Sequence, residues 1–247
     1  MSKSFKFKQF SVSQDRCAMK IGTDGVLLGA WASLSHFPRT ILDIGAGTGV
    51  ISLQLAQRDP EAQIDAIEID EHAFEQCTDN FENSPWADRL FCYHASLQEF
   101  AQELIEEEEE EEEEQHSYDL IISNPPFYTD HYKTQDEQRD LARFTDALPF
   151  EHLIVCAAHL LTETGRFCVI LPKKEEEKFV ALALEQQLSV LRKCDMRGTS
   201  TSPVKRVLLE FSFLQTETIS EELVIEITRH QYTPEYIALV SDYYLKM

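Results

Sequence analysis

Positive charge is scarce in this chain. Twenty-two Lys and Arg face 44 Asp and Glu, a formal net charge of -22. That balance argues against generic adhesion to polyanions. The six cysteines (Cys17, Cys77, Cys92, Cys156, Cys168 and Cys194) form no CxxC pair and no Cys/His cluster. A structural zinc site, or any metal, is therefore not expected, and the scatter suits reduced, mostly buried thiols in a cytoplasmic protein. The opening MSKSFKFKQF lacks the long apolar run of a signal peptide or membrane span. No internal repeat and no clear domain boundary breaks the 247 residues, a length sufficient for one domain with a small appendage. Nothing in the sequence requires more than a monomer.

The charge that is present is unevenly placed. Glu106 to Glu114 form a run of nine glutamates. Like charges repel at i,i+4 and none of these residues can join a core, so the run reads as a solvated linker. Two short stretches are basic. Residues 1–20 carry Lys3, Lys6, Lys8, Arg16 and Lys20 against Asp15 alone, and residues 189–206 carry Arg192, Lys193, Arg197, Lys205 and Arg206 against Asp195.

Apolar runs and helical spacings alternate along the chain. TILDI (40–44), IDAIEI (64–69), RLFCYH (89–94) and YDLIIS (118–123) read as strands with helical patterns at 50–58, 70–84 and 97–105 between them. Strand followed by helix, repeated, argues for a parallel sheet covered on both faces. Beyond it come a helix over 146–165 closed by Gly165, a strand at 166–172 and a charged helix at 173–187. LSVLRKCDM (188–196) and KRVLLEFSF (205–213) have no helix-sized connection and should pair antiparallel at one edge of the sheet. A short strand at 224–227 and a helix at 234–246 close the chain.

LDIGAGTGV (42–50) places Gly45, Gly47 and Gly49 between an apolar strand and an amphipathic helix, where backbone must come close to a ligand. The spacing is GxGxG, neither the dinucleotide fingerprint GxGxxG nor a phosphate loop with GK[ST]. Asp43 at the strand end is costly to bury unless its carboxylate is used, by loop N–H groups or by a cationic part of a ligand. Glu68 ends the next strand, where an acid can accept both hydroxyls of a ribose, and Asp70 is placed to cap the helix that follows. These features resemble the class I S-adenosylmethionine-dependent methyltransferases over residues 38–213. The resemblance implies S-adenosyl-L-methionine as cofactor and a Rossmann-like α/β fold, a seven-stranded, mostly parallel sheet with an antiparallel edge hairpin. It implies that the Asp43–Gly49 loop passes the methionine part and that Glu68 holds the ribose. Ser96 stands where many members have an Asp for the adenine amino group, so Ser96 or a backbone group would serve there.

Asn124-Pro125-Pro126-Phe127 follows the fourth strand. On its own this is a rigid stop with Phe127 packed on the core. After the glycine loop it resembles [DNS]PP[YFW], the motif of methyltransferases that modify planar nitrogen. The Asn124 side-chain oxygen and the Pro125 carbonyl can each accept one N–H bond from an exocyclic amino group, the prolines fix that carbonyl, and Phe127 offers a stacking face. Tyr128, His131 and Tyr132 could line the base entrance. MKIGTDGVLLGAWA (19–32) and YTPEYIALVSDYYLKM (232–247) resemble the bacterial tRNA1(Val) (adenine(37)-N6)-methyltransferase family. That resemblance implies a tRNA anticodon loop as partner rather than DNA or membrane, with residues 1–37 as a basic segment and cofactor lid ordered by Thr23 and Asp24. The methyltransferase domain would span 38–247, with the insertion at 106–114. Lys6, Lys8, Lys20, Arg192, Lys193, Arg197, Lys205 and Arg206 would then touch tRNA phosphates. Methylation of guanine N2 in ribosomal RNA or of a protein glutamine uses the same chemistry.

Overall fold

The computed structural model describes residues 4–111, 117–126 and 148–246, with the side chains of 105–111 excepted. Its centre is one eight-stranded sheet. The strands are β3 (Thr40–Ile44), β4 (Gln63–Glu68), β5 (Leu90–His94), β6 (Tyr118–Ser123), β7 (Leu161–Pro172), β8 (Ser189–Arg197), β9 (Val204–Ser212) and β10 (Ile219–Val224), preceded by a small hairpin of β1 (Phe5–Lys6) and β2 (Ser11–Val12). The order across the sheet is β10-β8-β9-β7-β6-β3-β4-β5. Only β9 runs against its neighbours, and every other pairing in this sheet is parallel.

Helices α1 (Thr23–Trp31), α2 (Val50–Arg58), α3 (Glu71–Glu82), α4 (Leu97–Glu111), α5 (Phe150–Leu160), α6 (Glu176–Glu185) and α7 (Pro234–Val240) complete the described elements used below. Strand alternation sorts the apolar side chains into two cores, one on each face. Ile41, Leu120, Ile122, Cys168 and Ile170 join one with residues of α1 and α2. Leu42, Ile121, Phe167, Val169 and Leu171 join the other with residues of α5 and α6. Both faces of the parallel strands are thus buried, which accounts for their near-continuous hydrophobicity.

The mostly parallel sheet and its antiparallel pair are as the sequence indicates; the strand count is eight rather than seven. Ile219–Val224 pairs in parallel with β8 and covers the edge that the 188–213 hairpin was expected to form. Its sequence, ISEELV, is acidic and mostly exposed, so hydrophobicity does not announce it. The expected helix over 146–165 is shorter. Helix α5 stops at Leu160 and the chain enters β7 at once, with Leu161 paired to Tyr118; Gly165 has no left-handed backbone. Helix α4 runs on to Glu111, so the first six glutamates of the acidic run are helical rather than linker. The last helix ends at Val240.

The N-terminal segment is fastened to the body. Phe5, Phe7 and Phe10 stack among themselves and with Tyr244 and Trp86. Phe7 bridges to Tyr244, and the Lys8 amide donates to the Tyr243 carbonyl at 2.8 Å. Farther on, Ser13 exchanges two hydrogen bonds with the buried Asn80 of α3. The Asp15 and Arg16 amides both donate to Gln76, and Arg16 pairs with Glu75 and Asp79.

Candidate active site

Three strands leave the sheet side by side. Ile44 pairs with Ile67 on one flank and with Ser123 on the other, so Gly45, Glu68 and Asn124 are the next residues out of three adjacent strands. Neighbouring strands lie about 4.8 Å apart, which puts all three within the width of one ligand. The strand order also reverses here, because the chain passes from β3 to β4 on one side and from β6 to β7 on the other. Crevices of doubly wound sheets form at that point. The Ser123 hydroxyl donates to the Ile44 carbonyl at 2.9 Å and ties the ends of β6 and β3 together.

The glycine loop turns tightly. Gly45 and Ala46 both donate backbone hydrogen bonds to the Ile67 carbonyl, at 2.9 and 3.1 Å. Gly45 and Gly47 have φ of 74° and 56°, and a Cβ added at either would meet nothing within 4 Å, so backbone faces open space there. Gly49, with φ 74°, differs: its Cβ would lie 2.6 Å from a ring carbon of Phe81. The left-handed backbone and the close approach to α3 both demand glycine at that position.

Asp43 is fully buried. Its Oδ2 accepts from the Ser52 hydroxyl at 2.7 Å and from the Ser52 amide at 3.2 Å, while among the described residues Oδ1 has no hydrogen-bond partner. Burial pushes the carboxyl up to about 6, against the lowering effect of the Ser52 bonds. Glu68, also buried, accepts from the Gly47 amide through Oε2 at 2.8 Å and from the Asp70 amide through Oε1 at 2.9 Å. One acid thus spans the loop and the start of α3. Asp70 caps α3 as expected, accepting from the Ala73 amide at 2.8 Å. Half-exposed Ile69 follows Glu68 as an apolar surface at the crevice. The orphaned Asp43 oxygen, the open glycine backbone and the adjacent Glu68 are a donor and acceptor set that fits S-adenosyl-L-methionine.

Asn124 is half-buried and Pro125 buried. Gly25 of α1 packs beside the Asn124 amide; a Cβ added at Gly25 would lie 3.8 Å from Nδ2. Phe127, Tyr128, His131 and Tyr132 lie outside the described residues. Thr23 and Asp24 open α1, and Asp24 Oδ2 accepts from Arg206 Nε at 2.8 Å.

Other expected site residues have different work. The Ser96 hydroxyl donates to Glu99 at 2.7 Å and accepts from the Glu99 amide, while the Ser96 amide also donates to Glu99. This is a capping box for α4, so the hydroxyl expected at the adenine is already engaged. Arg192 stacks 3.9 Å over Trp31, donates to the Trp31 carbonyl and pairs with the buried Glu210. It holds α1 to the sheet. Lys193 pairs with Glu176 and Arg197 with Glu222, each at 2.9 Å, and Lys8 donates to the Ser241 carbonyl. Lys6, Lys20 and Lys205 are exposed. Ser52, Ser123 and Gly25 were not foreseen; each acts through a tertiary neighbour, which no local pattern records. Among the described residues no cluster of side chains could hold a metal ion, and no helix is long and apolar enough to cross a membrane.

The Methyltransferase small domain family is matched over residues 22–197. A tRNA1(Val) (adenine(37)-N6)-methyltransferase of Christiangramia forsetii is 56% identical over 98% of both chains. One from Flavobacterium psychrophilum is 60% identical over 98% of this chain and 100% of its own. Among solved structures, a predicted O-methyltransferase of Agrobacterium tumefaciens superposes with a TM-score of 0.68 at 18% identity, covering 89% of this chain and 96% of that one, and so shares the fold.

Proposed function

The chain belongs to the tRNA1(Val) (adenine(37)-N6)-methyltransferase family, within the Methyltransferase small domain family, and from that membership we propose how its residues carry the reaction. It is an enzyme that methylates N6 of adenine 37 in the anticodon loop of a valine tRNA. When bound, S-adenosyl-L-methionine supplies an electrophilic methyl group. Asp43 and the backbone of Gly45, Gly47 and Gly49 would hold its methionine part and Glu68 its ribose, and exposed Ile69 would offer an apolar surface to its adenine. Residues 1–37 form the lid over this cleft, and Thr23 and Asp24 order its inner end.

The observation that carries the reading is the register of β3, β4 and β6, by which Asn124 flanks the glycine loop on one side and Glu68 flanks it on the other. An exocyclic amino group shares its lone pair with the ring and is a poor nucleophile. Asn124 Oδ1 and the Pro125 carbonyl accept its two N–H bonds and favour charge developing on nitrogen in the transition state. Pro125 precedes another proline, which confines its own backbone and so the direction of its carbonyl. The proton that N6 sheds passes to solvent, since neither acceptor is a base at neutral pH. An anticodon loop can present the target base unpaired. Exposed Lys6, Lys20 and Lys205 contact phosphates. The enzyme works as a cytoplasmic monomer.

Labelled S-adenosylmethionine, the purified protein and unmodified valine tRNA test this directly. Nuclease digestion and mass spectrometry should locate N6-methyladenosine at position 37. N2-methylguanosine, or label in protein, would overturn the assigned substrate.

A further inference from the structure

Helix α1 begins next to Asn124 and is tethered from two directions. On the α2 side, Gln54 Nε2 donates to the Val26 carbonyl at 3.1 Å, and Arg58 donates to the Gly29 carbonyl at 2.8 Å. On the other side stands the Asp24–Arg206 ion pair, both side chains about one-third exposed. Arg206 belongs to β9 and pairs with Pro172 of β7; β9 is two strands away from β6. The ion pair therefore reaches over the end of β7 to the start of α1. The helix has no side-chain cap at Gly22 to steady its first turn. The residue after Asp24 is Gly25, which is buried; a Cβ added there would lie 3.6 Å from Val50 and 3.9 Å from Ile51 of α2 and 3.8 Å from the Asn124 amide nitrogen, so the first turn of α1 packs against both.

We propose that Arg206 is a positioning residue for methyl transfer: by holding Asp24 it seats the first turn of α1 against Asn124 and keeps the amide oxygen aimed at the incoming amino group. This rests on the function proposed above and replaces a phosphate contact as the role of Arg206. An ion pair about one-third exposed adds little to global stability. Its removal matters because a misplacement of about 1 Å in a reacting geometry can cost about 100-fold in rate. The signature is loss of turnover without loss of fold or binding.

A double-mutant cycle on the full chain tests it, with valine tRNA and S-adenosylmethionine as substrates. Asp24→Asn and Arg206→Gln are each expected to lower kcat by about ten- to 100-fold. KM for tRNA and Kd for S-adenosylmethionine should stay within about threefold of wild type, and the double variant should be no worse than the poorer single, as coupled partners require. Unchanged kcat in Asp24→Asn overturns the inference, as does a raised tRNA KM with unchanged kcat in Arg206→Gln. If the neutral variants fold poorly, Arg206→Lys decides: a lower kcat at constant tRNA KM supports positioning, and a higher KM at constant kcat rejects it. A wild-type enzyme active on adenine 37 with a flat cycle sinks this inference alone. Wild-type activity on a different planar nitrogen sinks the substrate assignment, and the cycle is then read on that substrate; no wild-type turnover sinks both.

Discussion

Truncating Asn124 to Ala removes one of the two acceptors for the substrate amino group while leaving Asp43, Glu68 and the glycine loop in place. Turnover should fall by about 100- to 1,000-fold, the scale of one lost transition-state hydrogen bond, with Kd for S-adenosylmethionine nearly unchanged. Stopped turnover and isothermal titration on one preparation check this; equal loss of both would assign Asn124 a structural role. Asp43 makes a prediction in pH. Its carboxyl is raised to about 6 from an ordinary 3.8. The folded chain thus holds a proton that the unfolded chain releases across that window, and this group's contribution to stability falls as pH rises through it, by on the order of 3 kcal/mol in all. A cationic methionine portion favours the ionised form. Affinity for S-adenosylmethionine should therefore tighten as pH rises through about 6, and Asp43→Asn should abolish that dependence. A flat affinity profile in the native enzyme would place the methionine part elsewhere.

At the scale of elements, the capping box at Ser96 separates two roles for one hydroxyl. Ser96→Ala should cost about 1 kcal/mol of stability through the lost cap. In a chain of this size that lowers Tm by about 2–4 °C. Kd for S-adenosylmethionine should stay within about twofold; a tenfold rise would return Ser96 to the adenine. Elements with strong apolar runs were legible from sequence, YDLIIS and its β6 residue for residue. The tight turn at Gly45–Gly49 and the places of Glu68 and Asn124 at strand ends were legible as well, because turn chemistry is written locally. What escaped was set by partners distant in sequence. Leu161 extends a helical pattern yet pairs with Tyr118, so a sheet register ends α5. Ile219–Val224 is a strand because β8 offers it an edge. Arg192 looks like a surface cation until Trp31 and Glu210, from other elements, close around it.

Charge distribution decides behaviour at the scale of the whole molecule. Helix α4 starts at the crevice edge of the sheet and runs away from it for 15 residues, or about 20 Å at 1.5 Å per residue. That exceeds the screening length of about 8 Å at physiological salt. Replacing Glu106–Glu114 with glutamine should leave kcat and tRNA KM within about twofold there, and lower KM several-fold only at about 0.01 M salt, where screening extends to about 30 Å. A large effect on kcat at physiological salt would place the acidic run beside the reacting base. The N-terminal segment, by contrast, is anchored by residues distant in sequence: Phe7 bridges to Tyr244, and Lys8 bonds to Tyr243 and Ser241. Residues 5–8 cannot dock before residues 241–244 have been made, so this contact closes a loop of 233 residues and waits on the folding of the chain between.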